Sequence, residues 1–554
     1  MKKMLFLTIA ATLISNAFAG PATINLSAEK QLIRGYGGMN YPGWIDDLTA
    51  AQRETAFGNG NGQLGFTILR IHVDPNKNNW QKQVATAKSA IEHGALVFAS
   101  PWNPPDDMKE SYNCTSNCGG ADGKTTYRLK ASRYADYAKH LDDFVTFMKN
   151  NGVELYAISI QNEPDYDSGW LYWTPTEIVN FLKNNARSIK CRIMAPESFQ
   201  YVKAMSDPIL NDAQALANMD ILGAHTYGTQ VSQFPYPLFK SKGAGKELWM
   251  TEVYRPNSTS DADTWPEALQ VAEHVHNSMV EAEFQSYVWW YIRRSYGPMK
   301  ENGNISKRGY MMAHFSKFVR HGYLRVDATK SPATNVLVSA YKSADSVVIV
   351  AINKGTSAVN QQFNISNING TIAKVTGKRS SGTENMVAIA DINLSNGSFT
   401  ASLPSQSVTT FVGIRTGGTV PSSSSVAVSS SSSKASSSSQ SSSSIAASSS
   451  SSKASSSSNS SSSIATPSSS SRASSSSMAV SSSSSSIPSS SSIAESSSSS
   501  DNPTPIQNYQ LSIINYQLPT YFSLKGEPLG NAKPQKAGIY IVKQGNSVRK
   551  IAVR

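Results

Sequence analysis

Residues 155–164 (LYAISIQNEP) form a short apolar run that ends in a carboxylate, Glu163. Residues 247–252 (ELWMTE) repeat the pattern and end in Glu252. Apolar runs of this length predict buried β-strands. Paired carboxylates in a sugar-sized cleft are the groups that cut glycosidic bonds. The two glutamates are far apart along the chain, so only a closed fold can bring them together.

The region around these runs, residues 34–320, alternates strand-like and helix-like segments. The predicted strands are Gly35–Met39, Phe66–Val73, Ala95–Trp102, Leu155–Glu163, Arg192–Ser198, Asp220–Tyr227, Glu247–Val253 and Ser286–Ile292. Amphipathic stretches predict helices at Trp80–His93, Arg133–Asn150, Thr176–Ile189 and Pro266–Phe284. Thr174-Pro175-Thr176-Glu177 is typical of a helix start. Eight strands with helical returns predict a (β/α)₈ barrel over residues 35–322, an α/β fold; a doubly wound open sheet is the alternative.

Residues 323–417 change character and predict a side β-sandwich. The short β-type runs are Asn335–Tyr341, Ser346–Asn353, Gln361–Ile365, Thr371–Thr376, Phe399–Leu403 and Ser407–Arg415. Residues 20–34 precede the barrel, and we expect their strand, Ala22–Leu26, to join this sandwich. The two modules would then be packed together.

The two ends of the chain have compositions unlike the rest. Residues 1–19 combine a basic start, an apolar run and Ala17-Phe18-Ala19, which predicts a secretory signal peptide; a membrane anchor is the alternative, but the run is too short to span a bilayer. No later segment could span one. Residues 418–503 are almost entirely serine and predict a disordered linker. Residues 504–554 resemble a C-terminal sorting β-domain that engages the export machinery. A small carbohydrate-binding module is the alternative, although this tail has no tryptophan.

Charge and cysteine content limit the choice of partners. The formal charge is +12, but the tail alone has seven Lys and Arg against two acidic residues. The main domain is therefore only mildly basic, and we expect no nucleic-acid partner. Cys114 and Cys118 lie in a Gly/Ser/Asn-rich loop and could form a local disulfide in an oxidising compartment. A metal site is the alternative, but no companion His/Cys pair follows. Cys191 is expected to be a core thiol.

In a barrel, catalytic side chains follow the carboxyl ends of the strands. The aromatic loop after Glu163 would raise the pKa of its carboxyl group, as a general acid requires. Glu252 has potential donors in Arg70, Tyr227 and Tyr254, which would keep a nucleophile ionised. A retaining mechanism needs the two carboxyl groups about 5–5.5 Å apart.

Long motifs resemble glycoside hydrolase family 30. They are Arg34–Asn40 (RGYGGMN), Ser100–Pro105 (SPWNPP), Gln161–Tyr166 (QNEPDY) and Trp249–Tyr254 (WMTEVY). Trp289–Pro298 (WWYIRRSYGP) resembles the bacterial glucuronoxylanase branch, subfamily 8. The resemblance covers roughly residues 22–416. It implies that Glu163 is the acid/base and Glu252 the nucleophile, in agreement with their positions after the fourth and seventh strands.

The resemblance also implies the substrate. Members are retaining endo-β-1,4-xylanases that recognise a 4-O-methylglucuronic acid branch of glucuronoxylan. An arginine after the eighth strand binds the uronate, which implies Arg294; from the residues alone, Arg293 or a structural salt bridge remains possible. The further substrate-binding residues implied are Trp290, Tyr296, Tyr254 and Ser258 around the uronate, and Asn162, Trp102 and Tyr227 around the cleaved sugar.

We therefore expect a secreted monomer that needs no metal or organic cofactor. The alternatives are a relative acting on unsubstituted xylan or β-glucosyl substrates, and a non-catalytic polysaccharide-binding protein that uses the same groove.

Overall fold

The computed structural model describes residues 20–114, 125–166 and 169–417, and in the C-terminal region 520–522, 528–530, 538–544 and 547–553. The chain divides into two compact units, residues 1–423 and 424–554. The predicted signal peptide (residues 1–19), the predicted linker (residues 418–503) and Cys118 lie outside the described residues.

The first unit contains a barrel and a second sheet. Its strands are β1 (Ala22–Leu32), β2 (Gly35–Met39), β3 (Ile68–Val73), β4 (Leu96–Pro101), β5 (Lys109–Asn113), β6 (Thr125–Leu129), β7 (Ala157–Ser159), β8 (Ile193–Ser198), β9 (Ile221–His225), β10 (Glu247–Val253), β11 (Ser286–Tyr291), β12 (Leu324–Ala328), β13 (Val336–Lys342), β14 (Ser346–Asn353), β15 (Val359–Ser366), β16 (Thr371–Ser380), β17 (Val387–Asn393), β18 (Ser398–Leu403) and β19 (Ser407–Thr416). Its α-helices are α1 (Ala50–Phe57), α2 (Val84–Glu92), α3 (Tyr134–Asn150), α4 (Pro175–Asn184), α5 (Lys203–Asn211), α6 (Ala213–Asn218), α7 (Pro237–Lys242), α8 (Leu269–Val280) and α9 (Lys307–Ser316).

Eight parallel strands close into a barrel in the order β10-β11-β2-β3-β4-β7-β8-β9. The predicted (β/α)₈ barrel is confirmed, and the open-sheet alternative is wrong. Apolar side chains from seven strands fill its interior: Ile68, Phe98, Ala157, Met194, Ile221, Trp249 and Val288. Glycine is required on β2, because a Cβ atom at Gly37 would overlap the Ile68 carbonyl oxygen. In such barrels the catalytic side chains lie at the carboxyl ends of the strands.

The second sheet has nine strands in the order β17-β16-β19-β14-β13-β12-β1-β15-β18. β1 pairs with both β12 and β15, so the prediction that the N-terminal strand joins the side β-sandwich is confirmed. Its apolar face forms a core of its own. The core of the barrel also continues into this sheet, through Tyr341, Val348, Val350, Ile352 and Val408. The two modules are therefore packed together.

Several predicted boundaries differ from the structure. The predicted strand Leu155–Glu163 is only Ala157–Ser159, because residues 160–163 leave the sheet before the glutamate. The helix predicted over Trp80–His93 begins at Val84, after a 3₁₀ segment at Lys77–Gln83. Strand β17 was not predicted, since it lies at the sheet edge and most of its residues are exposed.

The described part of the second unit is a small antiparallel sheet. Its strands are β20 (Thr520–Phe522), β21 (Pro528–Gly530), β22 (Gly538–Gln544) and β23 (Ser547–Val553), in the order β21-β20-β22-β23. No helix among the residues described is both long and apolar enough to cross a membrane.

Candidate active site

Glu163 lies at the carboxyl end of the barrel, in the turn after β7. Its backbone has a φ of 44°, in the left-handed region that non-glycine residues seldom occupy. The amide of Asn162 donates to the Pro101 carbonyl (2.9 Å) and that of Glu163 to the Glu197 carbonyl (3.1 Å), so the turn is anchored to β4 and β8. The side chain is buried, and its Oε1 lies 2.7 Å from His225 Nδ1. Burial, followed by the nearby charge of Glu252, raises the pKa of Glu163 to about 7.

Glu252 lies on β10 and accepts two hydrogen bonds. The buried guanidinium of Arg70 donates to its Oε2, and the Tyr227 hydroxyl donates to its Oε1 at 2.8 Å. Two donors on a carboxylate stabilise its charged form. Of the three donors expected from the sequence, Arg70 and Tyr227 contact Glu252, whereas Tyr254 is an aromatic neighbour of Tyr227 with ring centres 5.0 Å apart.

The carboxyl groups of Glu163 and Glu252 lie close together. A carboxyl oxygen of Glu163, one of Glu252 and a ring nitrogen of His225 lie within 4.8 Å of one another. Inverting glycosidases hold their carboxyl groups about 6.5–9.5 Å apart to admit a water molecule, whereas retaining ones need about 5–5.5 Å. The arrangement therefore fits direct attack by one carboxylate while the other acts as acid and base.

Asn162 is fixed by Arg70. Its Oδ1 accepts from Arg70 Nη2 at 2.6 Å. A guanidinium can only donate, so the amide oxygen must face Arg70 and the Nδ2 group is the one available to a sugar hydroxyl. Arg70 itself lies 4.9 Å from the ring centre of Trp102, which places Trp102 beside the glutamates.

Behind the glutamates, His225 and Glu197 complete a charged network. His225 Nε2 lies 3.5 Å from Glu197 Oε1, and Glu197 also contacts Arg70 Nη2 (3.3 Å) and the Ser100 hydroxyl (2.7 Å). Burial alone would lower the pKa of His225, but the charges of Glu252, Glu163 and Glu197 outweigh it and raise the pKa to about 9. Burial would raise the pKa of Glu197, but Arg70 and His225 lower it to about 2.

Glu163, His225 and Glu252 are close enough to hold a metal ion, and they are the one such group among the described residues. The donor set suits acid–base chemistry better. His225 is a cationic donor at neutral pH, and Arg70 already neutralises Glu252. A cation would have to displace a proton from His225 and compete with a buried guanidinium.

Aromatic rings surround the glutamates. Trp290 is buried and contacts Trp102 at 6.0 Å between ring centres. Tyr254 lies between Tyr227 (5.0 Å) and Tyr296 (5.3 Å). Ring faces of this kind stack against the apolar faces of sugars. Thus the structure brings the predicted residues Trp102, Trp290, Tyr227, Tyr254 and Tyr296 to one end of the barrel.

The adjacent arginines after β11 have different surroundings. Arg293 is anchored, because it donates to Gln52 Oε1 (2.8 Å) and to the Asp46 carbonyl (2.7 Å). The Arg294 side chain is 39% exposed, interacts electrostatically with Tyr296, and has a loose ion pair with Glu301 at 3.9 Å. Arg294 is therefore the one of the pair that can reach a ligand.

Of the remaining residues named from the sequence, Ser258 adjoins this site, whereas Cys191 precedes β8 at the opposite end of the barrel. Ser258 is half-buried and lies beside Tyr254. Cys114 is buried and disulfide-bonded, and Cys191 is a half-buried free thiol. Because Cys118 is outside the described residues, the Cys114–Cys118 pairing stays a prediction. The hairpin β5–β6 that leads into Cys114 packs by Tyr112 onto Tyr172, with parallel rings 6.1 Å apart.

Comparison with known proteins agrees with this geometry. The sequence is 66% identical over 395 residues to a glucuronoxylanase of Bacillus subtilis strain 168, covering 71% of this chain and 92% of that relative. A crystal structure of a family 30 endoxylanase from Clostridium papyrosolvens is similar, with 46% identity, a TM-score of 0.66, and coverage of 71% of this chain and 100% of that one. A family 30 subfamily 8 xylanase from Clostridium acetobutylicum matches at 40% identity and a TM-score of 0.63, covering 71% and 99%. No family model matches the chain.

The chain belongs to glycoside hydrolase family 30. The resemblance recognised from the sequence motifs is confirmed, and the chain is a glycoside hydrolase of a retaining family. The short distance between Glu163 and Glu252 agrees with retention.

Within this family 30 site, sequence reasoning did not assign roles to Glu197, His225 or the exposed aromatic residues. Glu197 and His225 could have been found as polar residues at the ends of their strands. Phe199 stacks on Tyr166 (4.1 Å) and Tyr227 (5.2 Å), and Trp44 is 50% exposed beside Trp290. Both follow barrel strands in the chain, which is the signal that could have identified them.

Proposed function

We propose that this family 30 enzyme is a retaining endo-β-1,4-xylanase that cleaves glucuronoxylan and recognises its 4-O-methylglucuronic acid branch through Arg294. The close approach of Glu163 and Glu252 carries the proposal for the reaction. The relatives are a glucuronoxylanase and two xylanases, which supports the choice of substrate.

The chemistry follows from the two carboxyl environments. Glu163 protonates the leaving glycosidic oxygen while Glu252 attacks the anomeric carbon, so a glycosyl–enzyme ester forms and the leaving chain departs as an alcohol. The Glu163 carboxylate then takes a proton from water, whose oxygen displaces Glu252 and returns both groups to their starting state. Asn162 supplies an amide donor for the sugar 2-hydroxyl, and Trp102 and Tyr227 line the site of the cleaved sugar.

The proposed uronate clamp rests on the exposure of Arg294. A guanidinium binds a carboxylate through two parallel hydrogen bonds, which a partly desolvated site makes selective. Tyr296 interacts electrostatically with Arg294, and Tyr254 packs against Tyr296 with ring centres 5.3 Å apart. The weak contact with Glu301 leaves the guanidinium available to a ligand.

The test is a mass profile of the products from glucuronoxylan beside a digest of unbranched xylan. We expect products that each carry one methylglucuronic acid and little cutting of the unbranched chain. Equal cleavage of both polymers would agree with catalysis by the two glutamates but would reject the Arg294 clamp. No cutting of either would favour a polysaccharide-binding protein.

Three variants sharpen this test. Arg294→Ala should lower kcat/KM on glucuronoxylan by about 10-fold to 100-fold, since a charge-assisted pair contributes about 1.5–3 kcal/mol. Arg293→Ala is the matched control, because it removes an anchored arginine next in sequence and should keep the preference for the branched polymer. Glu252→Ala should abolish turnover in both digests; retained turnover would reject it as the nucleophile.

We propose further that the enzyme is exported, with residues 504–554 as a sorting domain. The basic and apolar start of the chain and the antiparallel sheet β20–β23 support this reading. Deleting residues 504–554 should change where the enzyme accumulates without changing its binding to insoluble xylan. Loss of xylan binding would identify the tail as a carbohydrate-binding module.

A further inference from the structure

Glu197 is a fully buried carboxylate that no step of the reaction uses. Its backbone φ is 56°, so this residue occupies the left-handed region although it is not a glycine. One of its oxygens accepts from the Ser100 hydroxyl at 2.7 Å, and the other lies between Arg70 and His225. A side chain without solvent access cannot touch the substrate, so any effect on catalysis must pass through its neighbours.

His225 is the neighbour that links Glu197 to the acid. Carboxylates approach its ring from three other elements: Glu163 at 2.7 Å from the turn after β7, Glu197 at 3.5 Å from β8, and Glu252 at 4.0 Å from β10. Asp165, in the turn after Glu163, also acts on it electrostatically. Among the described residues, the lysine or arginine side chain that pairs with these carboxylates is that of Arg70, on Glu197 and Glu252.

The contact between His225 and Glu163 decides where the acidic proton can lie. If both ring nitrogens carry protons, Nδ1–H donates to Glu163 Oε1, and the carboxyl proton must occupy Oε2. If the ring is neutral with Nδ1 as acceptor, Glu163 donates its proton to the ring, and the leaving oxygen loses its proton source. A neutral ring protonated at Nδ1 would also donate to Oε1, but it would turn an unprotonated Nε2 toward the Glu197 carboxylate 3.5 Å away, so the doubly protonated ring is the productive arrangement that a charged Glu197 favours.

We propose that Glu197 is a positioning residue that holds His225 as an imidazolium, and that this imidazolium keeps the proton of Glu163 on the oxygen that serves the leaving group. The inference rests on the proposed roles of Glu163 and Glu252. It extends them to Glu197, which reaches Glu163 through its 3.5 Å ion pair with His225 and the 2.7 Å contact of His225 with Glu163.

The charges in the network support this role. With Glu163 protonated, the cations Arg70 and His225 balance the anions Glu197 and Glu252. Removing the charge of Glu197 leaves a net positive site, which must release a proton at lower pH than before. The depressed pKa of Glu197 and the raised pKa of His225 agree with a charge-paired contact between them.

The decisive variant is Glu197→Gln, which keeps the size and removes the charge. We expect kcat on glucuronoxylan to fall about 10-fold to 100-fold with little change in KM, and the alkaline limb of the pH–rate profile to move about one unit toward acid. Glu247→Gln is the matched control. That carboxylate also pairs with two arginines, Arg34 and Arg192, but it lies at the opposite end of β10, so its loss should lower stability without moving the pH limb.

Glu197 could act on the acid Glu163 through His225, or on the nucleophile Glu252 through Arg70. The dependence of the rate on the leaving group distinguishes these two possibilities. With a dinitrophenyl glycoside of a methylglucuronic-acid-branched xylobiose, departure needs no acid, and the deficit of Glu197→Gln should nearly vanish. An equal deficit on this substrate would mean that Glu197 acts through Arg70 on the nucleophile, and the proposal would be wrong.

Nitrogen NMR of ¹⁵N-histidine protein gives a readout independent of activity. His225 should keep both ring nitrogens protonated to a higher pH in the wild type than in Glu197→Gln, measured over a pH series. An unchanged His225 signal in a folded variant would overturn the proposal. If the wild type cut no xylan but its His225 were charged, the proposed function would fail while the Glu197–His225 contact stood.

Discussion

At the residue scale, the raised pKa of Glu163 predicts the pH dependence of the enzyme. The acid is active when protonated, and its pKa is raised to about 7 by burial and by the charge of Glu252. We therefore expect kcat/KM to fall as pH rises through about 7, by a factor of ten per unit above it. Initial rates on glucuronoxylan between pH 5 and 9 measure this fall in kcat/KM.

The control is Glu163→Gln, which should lose about 10²–10⁴-fold in kcat on the polymer, the usual contribution of a general acid. It should retain activity on the dinitrophenyl glycoside without the limb near pH 7. If the fall in activity near pH 7 persists in this variant, the ionisation belongs to another group.

The sequence identified Glu163 and Glu252 as ends of apolar runs, but strict alternation could not predict which side chains face inward. Trp249 points into the barrel, so alternation would direct Thr251 inward and Glu252 outward. The pairing of β10 with β9 shifts register between Met250 and Glu252, and that of β8 with β9 shifts between Pro196 and Ser198. Such irregularities re-aim side chains beside active sites, and nothing in the local residue pattern reveals them.

At the element scale, the start of α4 is a capping box that the sequence did predict. Thr174 Oγ1 accepts from the Glu177 amide at 3.2 Å, and Glu177 Oε2 accepts from the Thr174 amide at 2.7 Å. The helix then buries Ile178, Phe181 and Leu182, spaced for one face. This segment was predictable because its cap and its apolar period are local in sequence.

Thr174→Ala should therefore lower the free energy of unfolding by about 1 kcal/mol, the usual cost of losing an N-cap hydroxyl. Denaturant unfolding measures it. Thr176→Ala is the matched control, because this exposed threonine lies in the same turn and makes no cap. Equal losses in both variants would contradict the capping argument.

At the scale of the first unit, the side sheet packs against helix α9 of the barrel. His314 of α9 bonds to Thr410 (2.8 Å) and Ser380 (2.9 Å) of the sheet, all three buried. The sequence predicted that the two modules pack together because β1 precedes the barrel. It could not predict which apolar residues they share, since the contacts join segments far apart in the chain.

This shared core predicts how the chain tolerates truncation. A protein that ends at residue 417 keeps the barrel, the side sheet and every site residue, so its kcat/KM on glucuronoxylan should match that of the full chain. A protein that ends at residue 322 loses β12–β19, which exposes the barrel residues that pack on Val350 and Val408 and leaves His314 without its buried partners. It should fail to unfold cooperatively in calorimetry. An active, cooperatively folded protein ending at residue 322 would show that the barrel is stable without the sheet, and an inactive protein ending at residue 417 would mean that the C-terminal region contributes to catalysis.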